Sequence, residues 1–279
     1  MPGRIGIVAK NESREALDMA KKVYRTLSDH GMTPVLEQQL SLASKLGKGQ
    51  PLKTMDVDLM VTLGGDGTVL KAVREMPHWK TPILAVNLGR RGYLTEIEPE
   101  EFEESLSRWV NGDFQLEEQW RVTVSLNDQR LGECLNEALL LPTTVDKMLN
   151  IVAAQNGKRI IKARADGFMV ATPTGSTAHS FSAGGPVLET SLNVLVMTLI
   201  APLQPVRSLV VPADKKLTVR LEKPGPTATL VNDGNPVKQI GIGQTLGMKR
   251  SANNAYFVRF GDTFLQRSLR RLASERENA

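Results

Sequence analysis

The strongest constraint on the fold is the order of elements over the first hundred residues. Residues 4–9, Arg-Ile-Gly-Ile-Val-Ala, form a compact apolar run that reads as a buried strand. Ser13 fits a helix N-cap, apolar residues then recur at Leu17, Ala20, Val23, Tyr24 and Leu27, and Gly31 sits where a C-cap would end the helix. Residues 33–36 read as a second strand. The pattern repeats with a strand at 59–63, a glycine turn, a helix over about 68–76, a strand at 83–86 and an acidic helix over about 99–110. Strand–helix–strand order of this kind predicts a doubly wound α/β sheet.

The pattern changes near residue 116. From there to about 260 the chain offers short β-like runs, among them 121–126, 149–154, 159–162, 167–171 and 217–221, separated by turn markers such as Asn156-Gly157 and Asp233-Gly234. The expected organisation is an α/β, Rossmann-like domain over 1–115 and a mainly β domain over 116–258. A C-terminal segment, 259–279, would return to the first domain through a helix near 263–276. Two such domains predict an enzyme with a cleft between them.

Aromatic residues make up only 5% of the chain, so its cores must rest on Val, Leu, Ile, Met and Ala. A formal charge of +5 suits an anionic ligand. Nucleic-acid binding is not expected, because no dense basic run carries interleaved aromatics. Cys134 is the only cysteine, which excludes an intrachain disulfide and a cysteine zinc cluster. No signal peptide or membrane span is expected, and a cytoplasmic location follows by default.

Two segments carry chemistry. Gly64-Gly-Asp-Gly67 lies between a predicted strand and a predicted helix, at the strand's carboxyl end, where open α/β sheets bind ligands. Its glycines permit close backbone approach, the helix N-terminus favours an anion, and Asp66 is expected to project with little shielding. The other reading is a tight turn whose Asp66 caps the helix. No Walker loop is present, and Gly241 to Gly247, a near miss to a dinucleotide fingerprint, reads as a pair of β turns. The second segment, residues 166–186, leads from an apolar strand into a run of small hydroxyl residues and glycines suited to reading sugar hydroxyls and amides. Ser176 and His179 lie close together without a Gly-x-Ser-x-Gly elbow, which argues against a serine hydrolase.

Together, Gly64-Gly-Asp-Gly67, Asn136-Glu137 and the 166–186 segment resemble the NAD kinase family, and the similarity extends from the first strand to about Asn235. Gly-Gly-Asp-Gly is shared with phosphofructokinases and with diacylglycerol and sphingosine kinases. The Thr-Pro-Thr-Gly-Ser-Thr-Ala pattern is not. The resemblance implies phosphoryl transfer from ATP or polyphosphate to the 2′-hydroxyl of the adenosine ribose of NAD, a divalent metal (Mg2+ or Mn2+), and a homodimer or homotetramer. It implies Asp66 as general base, Gly67 against the ribose, Lys71 on phosphate and Tyr93 stacked on adenine. Asn136 and Glu137 would bind the adenosine portion, and Arg164 and Asp166 would contact the ligand. Thr174 and the run Thr177, Ala178, His179, Ser180, Phe181 and Ser182 would form the dinucleotide-binding loop, and Asn235 stands where relatives carry Gln. His179 replaces the family's usual Tyr. The competing readings are a lipid or sugar kinase with the same glycine turn, and an NAD(P)-binding regulator without catalysis.

Overall fold

The computed structural model describes residues 3–10, 13–89, 92–261 and 266–268. The chain divides into two compact units, Met1–Glu118 with Asn254–Ala279, and Gln119–Asn253.

In the first unit, β1 (Arg4–Ala9), α1 (Arg14–Asp29), β2 (Thr33–Glu37), α2 (Gln38–Ser44), β3 (Gly49–Gln50), β4 (Leu59–Gly64), α3 (Asp66–Glu75), β5 (Pro82–Asn87) and α4 (Phe102–Val110) alternate; all but α2 and β3 fall where the periodicity predicts. Ser13 caps α1 by accepting from the Ala16 N–H, and Gly31 just beyond the helix holds φ +71°. The strands are parallel in the order β5-β4-β1-β2-β3, and Tyr256 and Phe257 extend the sheet beside β5. Strand order reverses at β1, because β2 lies on one side of it and β4 on the other. In open α/β sheets ligands bind at the carboxyl ends of the strands flanking such a reversal, here β1 and β4. Ile5, Ile7, Val61, Leu63, Leu84 and Val86 from the sheet pack against Ala16, Ala20, Val23 and Leu27 of α1 and Phe102 and Leu106 of α4.

The expected C-terminal helix lies mostly outside the described residues. Residues 266–268 are helical, and Arg267 joins Arg259 in pairing with Glu96 and Glu117 at 2.5–3.4 Å. Burial pushes the Glu117 carboxyl up, but Arg259 and then Arg267 hold it below the usual carboxylate range.

The second unit is built from two largely antiparallel sheets. Its elements are β6 (Gln115–Leu126, beginning in the first unit), β7 (Gln129–Cys134), β8 (Glu137–Pro142), β9 (Leu149–Gln155), β10 (Lys158–Ala165), β11 (Gly167–Ala171), α5 (His179–Ser182), β12 (Val194–Ile200), β13 (Leu209–Pro212), β14 (Leu217–Leu221), β15 (Ala228–Asn232), β16 (Asn235–Ile240) and β17 (Thr245–Arg259). One sheet runs β10-β9-β14-β17-β6-β7 and the other β13-β12-β11-β8-β15-β16. Val122, Ile151, Val219 and Leu246 of the first sheet share one buried cluster with Leu140, Phe168, Val170, Met197 and Leu230 of the second. The Gly241 to Gly247 segment is a single turn, closed by the Gln244 N–H on the Gly241 carbonyl, that runs directly into β17. Gly247 is a strand residue rather than part of a second turn. Among the described residues no helix is long and apolar enough to cross a membrane.

Candidate functional site

Gly64 ends β4, Gly65 is the N-cap of α3, and Asp66 is its first residue. A side chain at Gly64 would place its Cβ 2.4 Å from the Thr68 hydroxyl, so packing requires glycine there. A Cβ at Gly65 or Gly67 would meet nothing within 4 Å, which leaves the first turn of α3 uncovered. Asp66 does not project unshielded. Its Oδ2 accepts the Tyr93 N–H at 2.8 Å and its Oδ1 the Leu94 N–H at 2.9 Å. Gly92 is needed for this closure, since a Cβ there would come within 2.5 Å of Asp66 Oδ1. The carboxylate thus ties the glycine turn to the 92–94 segment and is half-buried by it. Each oxygen keeps a further lone pair for a ligand hydroxyl.

Lys71 is turned to another task. Its ammonium lies 3.6 Å from Glu37 Oε1, while Glu37 Oε2 caps α2 by accepting the Leu40 N–H. Five residues along a helix rotate a side chain by about 140°, so Lys71 leaves α3 on a different face from Asp66. The half-buried Tyr93 is held at its backbone by Asp66.

In the second unit the structure brings the Asn136-Glu137 pair and the 172–177 turn into one knot. The Thr172 N–H donates to the Asn136 carbonyl at 2.8 Å, the Thr172 hydroxyl to the Leu135 carbonyl at 2.5 Å, and the Gly175 N–H to the Thr172 oxygen at 3.1 Å. A Cβ at Gly175 would lie 2.2 Å from the Asn136 carbonyl oxygen, so glycine alone permits this approach. The hydroxyls expected to read a sugar are committed to the protein. Thr174 donates to Gln119 Oε1 at 2.5 Å, Thr177 donates to the Thr174 carbonyl, Ser176 accepts the Leu188 N–H, and Ser180 bonds Thr198. All four residues are buried. The segment is a 3-10 turn, Thr174–Thr177, followed by α5, rather than an open loop. Facing solvent are His179, Phe181 and Ser182, with Ala178 partly covered. Ser176 is buried and His179 exposed, which removes any Ser–His pairing. Arg164 and Asn235 are exposed near the end of β10 and at the start of β16, and the exposed Asp166 lies between β10 and β11.

Sequence reasoning missed Asp233. In the sequence it reads only as a turn marker, yet its carboxylate accepts three backbone N–H groups, from Leu135 at 2.7 Å, Asn136 at 2.8 Å and Glu137 at 3.1 Å. Its own N–H returns to the Glu137 carbonyl at 3.1 Å. Glu137 is buried, and its Oε2 has no hydrogen-bond partner among the described residues. Burial, and then the Asp233 charge, push the Glu137 carboxyl up to about 7. Among the described residues no three His, Cys, Asp or Glu side chains converge to hold a metal.

Residues 5–114 match the ATP-NAD kinase N-terminal domain and residues 135–260 the ATP-NAD kinase C-terminal domain. The chain is similar to the NAD kinase of Methanosphaera stadtmanae, 34% identical over 94% of this chain and 96% of that protein. It is also similar to that of Methanopyrus kandleri, 32% identical over 95% and 96%. Among solved structures, an NAD kinase from Archaeoglobus fulgidus in complex with ATP superposes with TM-score 0.77 at 29% identity, covering 96% of this chain and 99% of that one. Yeast NADH kinase complexed with NADH shares the fold at TM-score 0.89 and 21% identity, over 97% of this chain and 87% of that one. With both domains matched in order and full-length relatives above 30% identity, the chain belongs to the NAD kinase family.

Proposed function

We propose that this enzyme transfers the terminal phosphoryl group of ATP, or of polyphosphate, to the 2′-hydroxyl of the adenosine ribose of NAD, giving NADP. The observation that carries the reading is the Asp66 carboxylate, fixed by two backbone N–H groups just after β4, which flanks the point where the parallel sheet reverses its strand order. Membership of the family supports the acceptor, and the ATP complex of the Archaeoglobus fulgidus enzyme supports the donor.

A ribose hydroxyl is a weak nucleophile at neutral pH. Asp66 accepts its proton as the hydroxyl attacks the donor's terminal phosphorus, and assistance of this kind contributes typically ~10²–10⁴ in rate. Because Tyr93 and Leu94 fix both oxygens, the carboxylate is oriented before substrate arrives, and alignment supplies much of the remaining acceleration. Phosphoryl transfer is commonly loose, so orientation of the hydroxyl weighs as much as removal of its proton. A divalent ion enters with the donor's phosphates, as part of that substrate.

NAD is held by Asn136, Glu137 and the exposed side chains that follow the 174–177 turn, with the Tyr93 ring against adenine. The protein acts in the cytoplasm as a homodimer or homotetramer. Purified protein given ATP and magnesium with NAD, diacylglycerol or fructose 6-phosphate tests the reading. NADP formation from NAD alone is expected; phosphorylation of the lipid or sugar instead overturns it, and binding of NAD without turnover indicates a regulator.

A further inference from the structure

Glu137 and Asp233 form a pair of carboxylates that the mechanism above leaves unexplained. Asp233 and Gly234 are the two central residues of the hairpin between β15 and β16, with φ +45° and +74°, and Asn232 pairs with Asn235 across it. Both central residues have positive φ, as a two-residue primed turn requires, which is why Asp-Gly suits this position. The turn sends the Asp233 carboxylate into the junction between β7 and β8, where it gathers the N–H groups of Leu135, Asn136 and Glu137. Three donors on one carboxylate fix the backbone of the segment that presents the Asn136 and Glu137 side chains.

We propose that Asp233 is a positioning residue for nucleotide binding: it fixes the 135–137 backbone and, together with burial, favours the neutral form of the Glu137 carboxyl, so that Glu137 donates a hydrogen bond to an acceptor oxygen or nitrogen of the dinucleotide. The proposal rests on the NAD-binding reading above. Two observations support it. Glu137 Oε2 is buried without a partner among the described residues, and a buried orphan oxygen is costly unless it carries a proton or meets a ligand. A dinucleotide also carries two pyrophosphate charges, next to which a neutral donor is favoured over a second anion.

The other charged groups around the pair reinforce this arrangement. The buried Arg121 guanidinium lies 2.7 Å from Glu133 and also interacts electrostatically with Asp233. Cys134, between them, is a neutral thiol raised by burial, then by Asp233 and Glu137. Binding of NAD should therefore weaken above neutral pH as Glu137 loses its proton, approaching tenfold per pH unit for one proton.

Carbon-13 NMR of protein labelled at glutamate carboxyls tests the Asp233 link without any ligand, with the Glu137 signal assigned by its loss in E137Q. The wild-type signal should titrate near neutral pH and D233N should move it to lower pH. An ordinary titration in the wild type, or no movement in D233N, overturns the proposal. Calorimetric titration with NAD over pH 6 to 9 tests the second part. The wild-type dissociation constant should rise with pH and that of E137Q should stay flat; if D233N fails to fold, a persistent pH dependence in E137Q overturns the proposal. Failure of wild-type protein to bind NAD at any pH would instead remove the NAD-binding reading, while the NMR result on Asp233 stands.

Discussion

Asp66 in the first unit and Glu137 in the second are both carboxylates at the start of a regular element, but their surroundings differ. Asp66 opens α3 and its two oxygens each hold a backbone N–H. Glu137 opens β8 and is buried with one oxygen unmatched. The first is an acceptor held ready by the protein. The second has an oxygen without a partner among the described residues, and its proton becomes the variable. Each carboxylate follows a glycine-dependent approach, of Gly92 to Asp66 and of Gly175 to the Asn136 carbonyl, so both environments depend on close backbone packing.

The comparison breaks most directly at Asp66. Asp66→Asn is expected to lower kcat by roughly two to four decades while circular dichroism stays native. Near-normal turnover would leave Asp66 as a tie between the glycine turn and the 92–94 segment and nothing more. In the second unit, Gly175→Ala drives a methyl into backbone that cannot yield cheaply, and a loss of about 1–3 kcal/mol is expected by denaturant unfolding, with weaker NAD binding. Unchanged stability would show that the knot around Asn136 is loose.

Glu137→Gln sharpens the contrast through pH. The folded Glu137 carboxyl sits near 7 against an ordinary value of 4.5, so its contribution to stability is full below 4.5 and is lost as pH rises through about 7. Above pH 8 the neutral amide should therefore make the variant more stable than wild type by up to roughly 2–3 kcal/mol. Parallel unfolding curves from pH 5 to 9 would contradict this. The smallest effect is expected at Lys71, whose ammonium is already paired with Glu37. Lys71→Ala should change kcat by less than about threefold and stability by about 1 kcal/mol or less. A tenfold or larger fall in kcat would restore the phosphate-binding role expected from the sequence.

Much of the first unit was legible because its signals are short-range. The apolar spacing from Ala16 to Leu27 predicts α1, Ser13 caps it, and the 59–64 run leads into the glycine turn within a dozen residues. The 166–186 segment stood out in the sequence as a candidate functional region, but its hydrogen bonding did not. Hydroxyls in a Ser/Thr-rich run look available in sequence, and only the fold shows Thr174 bonded to Gln119, Thr177 to the turn itself, Ser176 to Leu188 and Ser180 to Thr198. The pairing of Lys71 with Glu37 was not legible for a similar reason, since Glu37 is distant in sequence and nothing local announces the pair.

The sequence by itself determined most of the strand and helix order of the first unit, the cap of α1, several turn positions and the family motifs, because periodicity and turn chemistry act over a few residues. Only the tertiary structure decided what each polar group does. Asp66 meets N–H groups 27 and 28 residues away, and Asp233 meets its three partners 96 to 98 residues away. Such hydrogen bonds exist only once sheets and turns have packed, so the partner of a buried carboxylate is a property of the folded chain and not of its neighbours in sequence.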